Sequence, residues 1–289
     1  MIGIRTFALS RVHRALIRIY GTARARFEWR RGRARSVQPG ITIVTVNWNT
    51  LPFLRVLIDT VVARSPEGTK IIVVDNASDD GSQQYLSSRP EVESIPLRVN
   101  IGHGKALDIG VARVLTEYVV VLDVDAFPIR DGWLSESLSM LDAGSVLSGA
   151  YFHRSYIHPC FLVFRRDSVL MNDLSFAPIG RFPSQSQARY GLFLDVGEAV
   201  SQAVTVKHGA DALHRVPFTE VLGPGMGSTV FGDVVYHNFH TTHGEFSDVA
   251  LQRFGVAVER FGASGWDNTP TGISAVETSV ADAPDQPAN

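Results

Sequence analysis

Tyr118-Val-Val-Val-Leu-Asp-Val-Asp125 is a short apolar run closed by two carboxylates. The uninterrupted residues Val119 to Leu122 suit a strand covered on both faces, as in a parallel sheet. Asp123 and Asp125 are two positions apart, so in extended geometry both carboxylates leave the same face. Like charges that close repel, and the pair is stable beside a cation that is itself shared with an anionic group. The alternative is a solvated turn ahead of Phe127-Pro128, where aspartate is ordinary turn chemistry. The flanking segments decide between the two.

Upstream, strand and helix patterns alternate. Ile41 to Val46 reads as a strand, and Leu54, Leu57, Ile58, Val61 and Val62 form a helical stripe after Pro52. Lys70 to Asp75 is a second strand, followed by the turn-rich loop Asn76-Ala-Ser-Asp-Asp-Gly-Ser82. Leu97 to Val99 is expected to end a third strand. Asn100-Ile-Gly-His-Gly-Lys105 then opens a helix with Leu107, Val111, Val114 and Leu115 on its core face. This βαβαβαβ order predicts an α/β fold: a Rossmann-like, mostly parallel sheet with right-handed crossovers and helices on its faces. A ligand belongs at the carboxyl ends of such strands. The polar residues fall there strand by strand: Asn47 and Asn49, then Asp75 and Asp79, then Asn100 and His103, then Asp123 and Asp125. Their convergence favours a ligand site over a solvated turn.

The second half has weaker patterning. Trp133, Leu134, Leu138 and Leu141 suggest a helix, and Ser145 to Ala150 and His158 to Phe164 suggest strands. Tyr151 to His158 is a polar, aromatic loop. Leu194-Asp-Val-Gly-Glu198 carries two acids three apart, which face one side of a helical turn; acids complementing a helix dipole are the plainer reading. Tyr236-His-Asn-Phe-His-Thr-Thr-His243 holds three histidines. Aspartate oxygens plus one imidazole suit Mn²⁺ or Mg²⁺, with His237 and His240 as candidates beside Asp123 and Asp125. Three histidines at this spacing converge poorly on zinc by themselves. Gly223-Pro-Gly-Met-Gly227 is a lid or a plain connector. Leu251 to Phe261 reads as a last short helix, and residues 263–289 as a disordered tail.

The 289 residues are 45% hydrophobic, enough for one large α/β domain. No stretch approaches the roughly 18 to 20 uninterrupted apolar residues that span a bilayer. Cys160 is the only cysteine, which points to a reducing compartment and no disulfide framework. Residues 1–38 carry ten of the 27 basic residues and one of the 29 acids, leaving 17 against 28 for the rest, or −11. An acidic body argues against a nucleic-acid-binding domain, whereas the basic head fits an anionic surface. Within it, Phe7, Ala8, Val12, Ala15, Leu16 and Ile19 recur at three- and four-residue steps, with Arg11, Arg14 and Arg18 opposite. That is the pattern of a helix lying in a membrane interface, or else of one packed on the domain's own surface with an arginine-rich linker behind it. No cleavage site of a signal peptide follows the charges. The expected organisation is a basic segment over 1–38, a domain over 39–262 with halves at 39–130 and 131–262, and the tail.

Thr45-Val-Asn-Trp-Asn49, Val73-Val-Asp-Asn-Ala-Ser-Asp-Asp-Gly-Ser82, Asn100-Ile-Gly-His-Gly-Lys-Ala-Leu-Asp-Ile-Gly110 and Leu122-Asp-Val-Asp125 resemble, in order and spacing, the successive signatures of family 2 glycosyltransferases with the GT-A fold. The resemblance covers about residues 40–130. It implies a nucleoside-diphosphate sugar donor and a Mg²⁺ or Mn²⁺ ion. By resemblance, the backbone near Thr45, Val46 and Asn47 forms the base pocket, Asp75 accepts from the base, Asp79 and Lys105 flank the nucleoside, and Asp123 and Asp125 hold metal and ribose-diphosphate. Asp195, before Glu198, stands where similar enzymes place the base that takes the acceptor's proton in inverting transfer. A histidine completing the metal shell is also seen in similar enzymes. Leu107 and Asp108 stand where asparagines often occur in such proteins. The implied reaction is hexosyl or deoxyhexosyl transfer to a glycan or lipid-linked acceptor in cell-envelope polysaccharide synthesis, on the cytoplasmic face of the membrane. A sugar nucleotidyltransferase would want a glycine-rich loop after the first strand, and Asn47 to Pro52 has none. A dinucleotide oxidoreductase would need a third glycine where Leu107 stands. A non-catalytic scaffold that kept the fold is the alternative from another class.

Overall fold

The computed structural model describes residues 2–151, 156–178, 195–222, 228–239 and 247–266. The chain runs α1 (Ile2–Arg33), β1 (Gln38–Asn47), α2 (Leu51–Arg64), β2 (Lys70–Asp75), α3 (Ser82–Ser87), β3 (Val92–Pro96), α4 (His103–Arg113), β4 (Thr116–Leu122), β5 (Ala126–Pro128) and α5 (Ser135–Asp142). It continues through β6 (Leu147–Tyr151), β7 (Ile157–Arg165), α6 (Arg166–Leu170), α7 (Glu198–His208), β8 (Leu213–Leu222), β9 (Ser228–Phe231), β10 (Val235–His237) and α8 (Ser247–Arg260).

The strands join in the order β3-β2-β1-β4-β7-β6-β8-β9-β10-β5. The first four are parallel, with Val44 of β1 level with Ile72 of β2 and Val121 of β4. Beyond β4 the sheet turns mixed: β7 pairs antiparallel to β4 and β6, and only β6 and β8 are parallel there. The parallel expectation therefore describes the first half. The second half is knit by short connections that favour antiparallel neighbours.

Alternation along the buried strands sends side chains to both faces. Ile43, Ile71, Val73, Val120 and Leu122 join one core with α2, α3, α5 and α8. Val44, Ile72, Val74, Val119 and Val121 join a second core with α1, α4, α6 and α7. Gly110 lets α4 lie directly on the sheet, because a Cβ there would sit 2.5 Å from Val44 Cγ1. On the other face Phe53, Phe127, Tyr236 and Phe254 pack as an aromatic cluster.

Several boundaries differ from the expectation. The third strand ends at Pro96, earlier than Leu97–Val99; as an edge strand paired only to β2 it is half exposed and carries polar residues that weaken the pattern. β8 and β9 carried no readable signal. Pro217 and Thr219 of β8 are exposed and break its pattern, and β9 is a buried strand of only four residues. Ala263 to Trp266, read as the start of the tail, belongs to the packed body. Ala263 N–H donates to Val258 O at 2.9 Å, and the Trp266 ring lies 5.2 Å from Phe254.

The N-terminal helix runs to Arg33, through the arginine-rich stretch that the second of the two readings made a linker, because Ala23, Arg24, Ala25, Arg26, Glu28, Arg30 and Arg31 are strong helix formers with no proline among them. Its Ile17, Gly21, Ala25, Trp29 and Gly32 turn toward the body, with Trp29 Nε1 donating to Leu170 O at 3.1 Å. Arg166, 1% exposed, closes the joint by donating to Val114 O at 2.8 Å and to Gly32 O. On the opposite side Val12, Leu16, Ile19 and Phe27 are more than half exposed. Among the described residues, no helix is long and apolar enough to cross a membrane.

Candidate active site

The site grows from the place where the sheet doubles back. β4 ends at Leu122, and Asp123 N–H donates to Cys160 O on β7 at 3.3 Å. A tight turn, closed by Ala126 N–H on Asp123 O at 3.0 Å, leads within three residues into β5. β5 is the far edge of the sheet in strand order, so the Asp-x-Asp turn links the central strand to that edge. β10 pairs antiparallel to β5 with His237 level with Ala126, and Asn238 N–H donates to Asp125 O at 3.0 Å. That register carries a histidine 112 positions away onto the aspartate pair.

His237 Nε2 lies 3.2 Å from Asp125 Oδ1 and 3.5 Å from Asp123 Oδ2. Donor atoms of the three residues fall within 4.8 Å of one another, a cluster able to hold a metal ion. His103, on the first turn of α4, places Nε2 3.3 Å from Asp123 Oδ1 without hydrogen-bond geometry. Asp123 Oδ1, His103 Nε2 and His237 Nδ1 are buried and lack hydrogen-bond partners. Buried polar atoms left over in this way mark the place of a missing charge partner. Two carboxylates and an imidazole form an oxygen-rich, hard donor set suited to Mn²⁺ or Mg²⁺.

Burial alone would raise Asp123, but the hydrogen bond to His237 and the charges of His103 and His237 hold its carboxyl well below the usual range. His237 is the converse case. Burial opposes its charge, yet Cys160 and Asp125 outweigh it and push the imidazole well above its ordinary value. The His158 ring lies 6.1 Å from that of His237 and accepts Cys160 N–H at 3.0 Å.

The other expected residues divide into groups. Asp75 is fully buried and accepts from Asn47 Nδ2 at 2.9 Å, Gln83 Nε2 at 2.9 Å and Ser78 N–H at 3.3 Å. It holds the loop after β2 in shape. Asn47 is held in turn by Thr50 Oγ1 at 2.8 Å. Thr45 and Val46 are buried in β1. Asp79 is exposed, with its amide on Asn49 Oδ1 at 2.8 Å. Lys105, expected beside the nucleoside, donates its ammonium to Arg18 O on α1 at 3.1 Å. His103 and Lys105 are two apart on one helix and so point to opposite sides of it.

Asp195 and Glu198 form the turn into α7. Glu198 Oε2 accepts Asp195 N–H at 2.9 Å, reaching back across the turn that precedes the Gly197 N-cap, and Asp195 Oδ1 accepts the adjacent Val196 N–H at 2.7 Å. The turn rests on Pro159, the neighbour of His158, through Gly197. His240, the loop 152–155, residues 223–227 and residues 267–289 lie outside the described residues.

Two contributors went unassigned in the sequence. His103 was visible as one of the polar residues at a strand end, inside Asn-Ile-Gly-His-Gly-Lys. His158 carried no signal beyond its polar loop, because only the β4–β7 pairing brings it near His237.

Residues 42–170 match the family described as glycosyl transferase family 2. No curated protein matches the chain. Among solved structures, TarS 1–349 from S. aureus in complex with UDP-GlcNAc is 15% identical over 48% of this chain and 48% of that one, at a TM-score of 0.42. The mannosyltransferase PcManGT from Pyrobaculum calidifontis, in complex with GDP-Man and Mn²⁺, is 14% identical over 71% of this chain and 65% of that one, at 0.47. This chain therefore covers less than two thirds of the length of either. The parallel half of the sheet and the Asp-x-Asp turn both fall inside residues 42–170, apart from the first residues of β1, and that segment is a glycosyl transferase family 2 domain.

Proposed function

We propose that the chain is a metal-dependent glycosyltransferase that moves a sugar from a nucleoside-diphosphate donor to an acceptor hydroxyl with inversion. The observation that carries this reading is the cluster of Asp123, Asp125 and His237 at the carboxyl end of the central strand, inside a family 2 domain. Asp123, Asp125 and His237 would hold Mn²⁺ or Mg²⁺. When bound, the ion neutralises charge that develops on the departing diphosphate. The loop shaped by Asp75 and Asn47 sits at the neighbouring strand ends, where the nucleoside belongs.

Of the two acids on the α7 turn, Asp195 is the better base for the acceptor's proton, because the Glu198 carboxylate reaches back across the turn to hold the Asp195 amide. The exposed apolar stripe of α1, with arginines on both flanks, fits peripheral attachment to an anionic membrane. A lipid-linked or cell-envelope glycan acceptor follows from that placement.

The test is a thermal-shift panel of UDP, GDP, CDP and dTDP with and without Mn²⁺, on the wild type and on Asp123→Asn. A ligand at a hundred times its dissociation constant adds about 2.7 kcal/mol, worth several degrees for a protein of this size. Stabilisation by one nucleotide that needs the metal and vanishes in the variant is expected. No response to any nucleotide would favour a scaffold that kept the fold without the activity.

A further inference from the structure

Beside the first turn of α4, across the helix from His103, lies a cavity of about 570 Å³ between α1 and residues 173–177. This volume is ordinary for a small-ligand site. Arg26, Arg30, Arg33 and Lys105 line it, with the Trp29 ring and the Ser175 hydroxyl between them. Two acids offset part of that charge. Asp173 pairs with Arg33, and Asp108 accepts from Ser175 Oγ at 2.6 Å and Phe176 N–H at 2.8 Å. Arg26 and Arg30 have no acidic partner among the described residues. Burial and the nearby Arg18 hold the Lys105 ammonium below its ordinary value. A cation so placed gains from an added anion.

Helix geometry ties this cavity to the exposed apolar stripe. At 100° per residue, Thr22, Arg26 and Arg33 fall on the flank of α1 between its packed face and the stripe of Val12, Leu16, Ile19 and Phe27. Arg30 falls one turn after Phe27 and in line with Val12, at the carboxyl end of the stripe. An apolar strip beside a basic cavity matches a lipid with an anionic headgroup, whose tails and phosphate ask for these two surfaces side by side. Arginine suits phosphate through its planar fork of donors.

We propose that this cavity receives the phosphate group of an anionic membrane lipid while α1 lies in the bilayer interface. The proposal rests on the interfacial reading of α1 given above and adds a defined headgroup site to it. It makes α1 a recognition element as well as an anchor, and sets the lipid phosphate on the far side of α4 from the metal cluster.

The test uses the full chain and phosphatidylcholine vesicles doped with phosphatidic acid or with phosphatidylserine, matched in surface charge. Wild type should bind the phosphatidic acid vesicles about tenfold more tightly. Arg26→Gln with Arg30→Gln should abolish that preference and weaken binding to phosphatidic acid about thirtyfold, which is about 2 kcal/mol at about 1 kcal/mol per arginine. Arg31→Gln with Arg35→Gln removes equal charge outside the cavity and should weaken both vesicles alike. Equal effects of the two double variants would overturn the proposal. Calorimetry with soluble dihexanoyl phosphatidic acid separates the two readings. Binding of this probe by wild type and not by the Arg26/Arg30 variant, without vesicle binding, would keep the headgroup site and sink the interfacial one. Inorganic phosphate binding as tightly as that probe would mark a free-phosphate site and overturn the lipid assignment. An unchanged melting temperature shows that each variant is folded.

Discussion

Asp108 occupies a helix position where similar proteins often carry asparagine, and its surroundings show what the carboxylate does. It is 5% exposed, and burial pushes its carboxyl up to about 7 against the hydrogen bonds from Ser175 and Phe176. Between about pH 4 and 7 the folded chain therefore holds a proton that the unfolded chain has released, so this group's contribution to stability falls as pH rises through that window and is level above it. Asp108→Asn keeps the shape without the charge. Its stability relative to wild type should rise by an amount on the order of a few kcal/mol across that same window, read from urea titrations at several pH values. Parallel curves for the two proteins would show that Asp108 is not the group responsible. In the candidate metal cluster, His237 places Nε2 beside both carboxylates, whereas His103 reaches only Asp123. His237→Ala should weaken Mn²⁺ binding by roughly ten- to a hundredfold and His103→Ala by less, measured by calorimetry on the folded variants. Equal losses would make His103 a ligand of the same standing.

Among the elements, α1 and α4 set the most specific packing. Gly32 passes so close to α4 that a Cβ would meet Ala112 O at 2.4 Å. That neighbour is backbone and does not swing away. Gly32→Val should cost about 1–3 kcal/mol and expose α1 to limited proteolysis ahead of the domain, whereas Gly68→Ala, which strains a left-handed turn at φ +79° but meets nothing within 4 Å, should leave α1 protected. The central parallel strands β1, β2 and β4 were legible because their buried stretches read as continuous apolar runs: Lys70 to Asp75 has the bounds expected of it, whereas the half-exposed edge strand β3 was misplaced. β8 and β9 were not, since β8 is exposed over Pro217 to Thr219 and shows neither a clean alternation nor a run, and β9, though buried, is only four residues long.

At the scale of the whole molecule, the basic head and the acidic body are one structure. α1 supplies donors and acceptors that the body needs: Leu170 O receives Trp29 Nε1 and Arg33 Nε, and the buried Arg166 guanidinium reaches Gly32 O. Removing residues 1–33 leaves a buried guanidinium short of a partner and uncovers Ile101 and Ala112. The melting temperature of the shortened chain should fall by more than about 5 °C in calorimetry. An unchanged value would reduce α1 to a tether. The same joint gives the vesicle experiment its meaning, because a helix held on the body by one face presents a fixed opposite face to a membrane.

Local chemistry determined the alternating strands and helices of residues 41–125, the placement of polar residues at the strand ends and the identity of the aspartate pair. Burial on both faces and a period of two or of 3.6 are written in neighbouring residues, so no distant contact is needed to read them. Tertiary structure decided the rest. The pairing of β10 with β5 brought His237 to the aspartate pair, the β4–β7 ladder brought His158 and Cys160 under it, and α4's helical turn sent His103 to the Asp123 side and Lys105 to the arginine cavity. These choices depend on strand register and on the direction of a side chain around a helix, quantities set by contacts between residues far apart in the sequence.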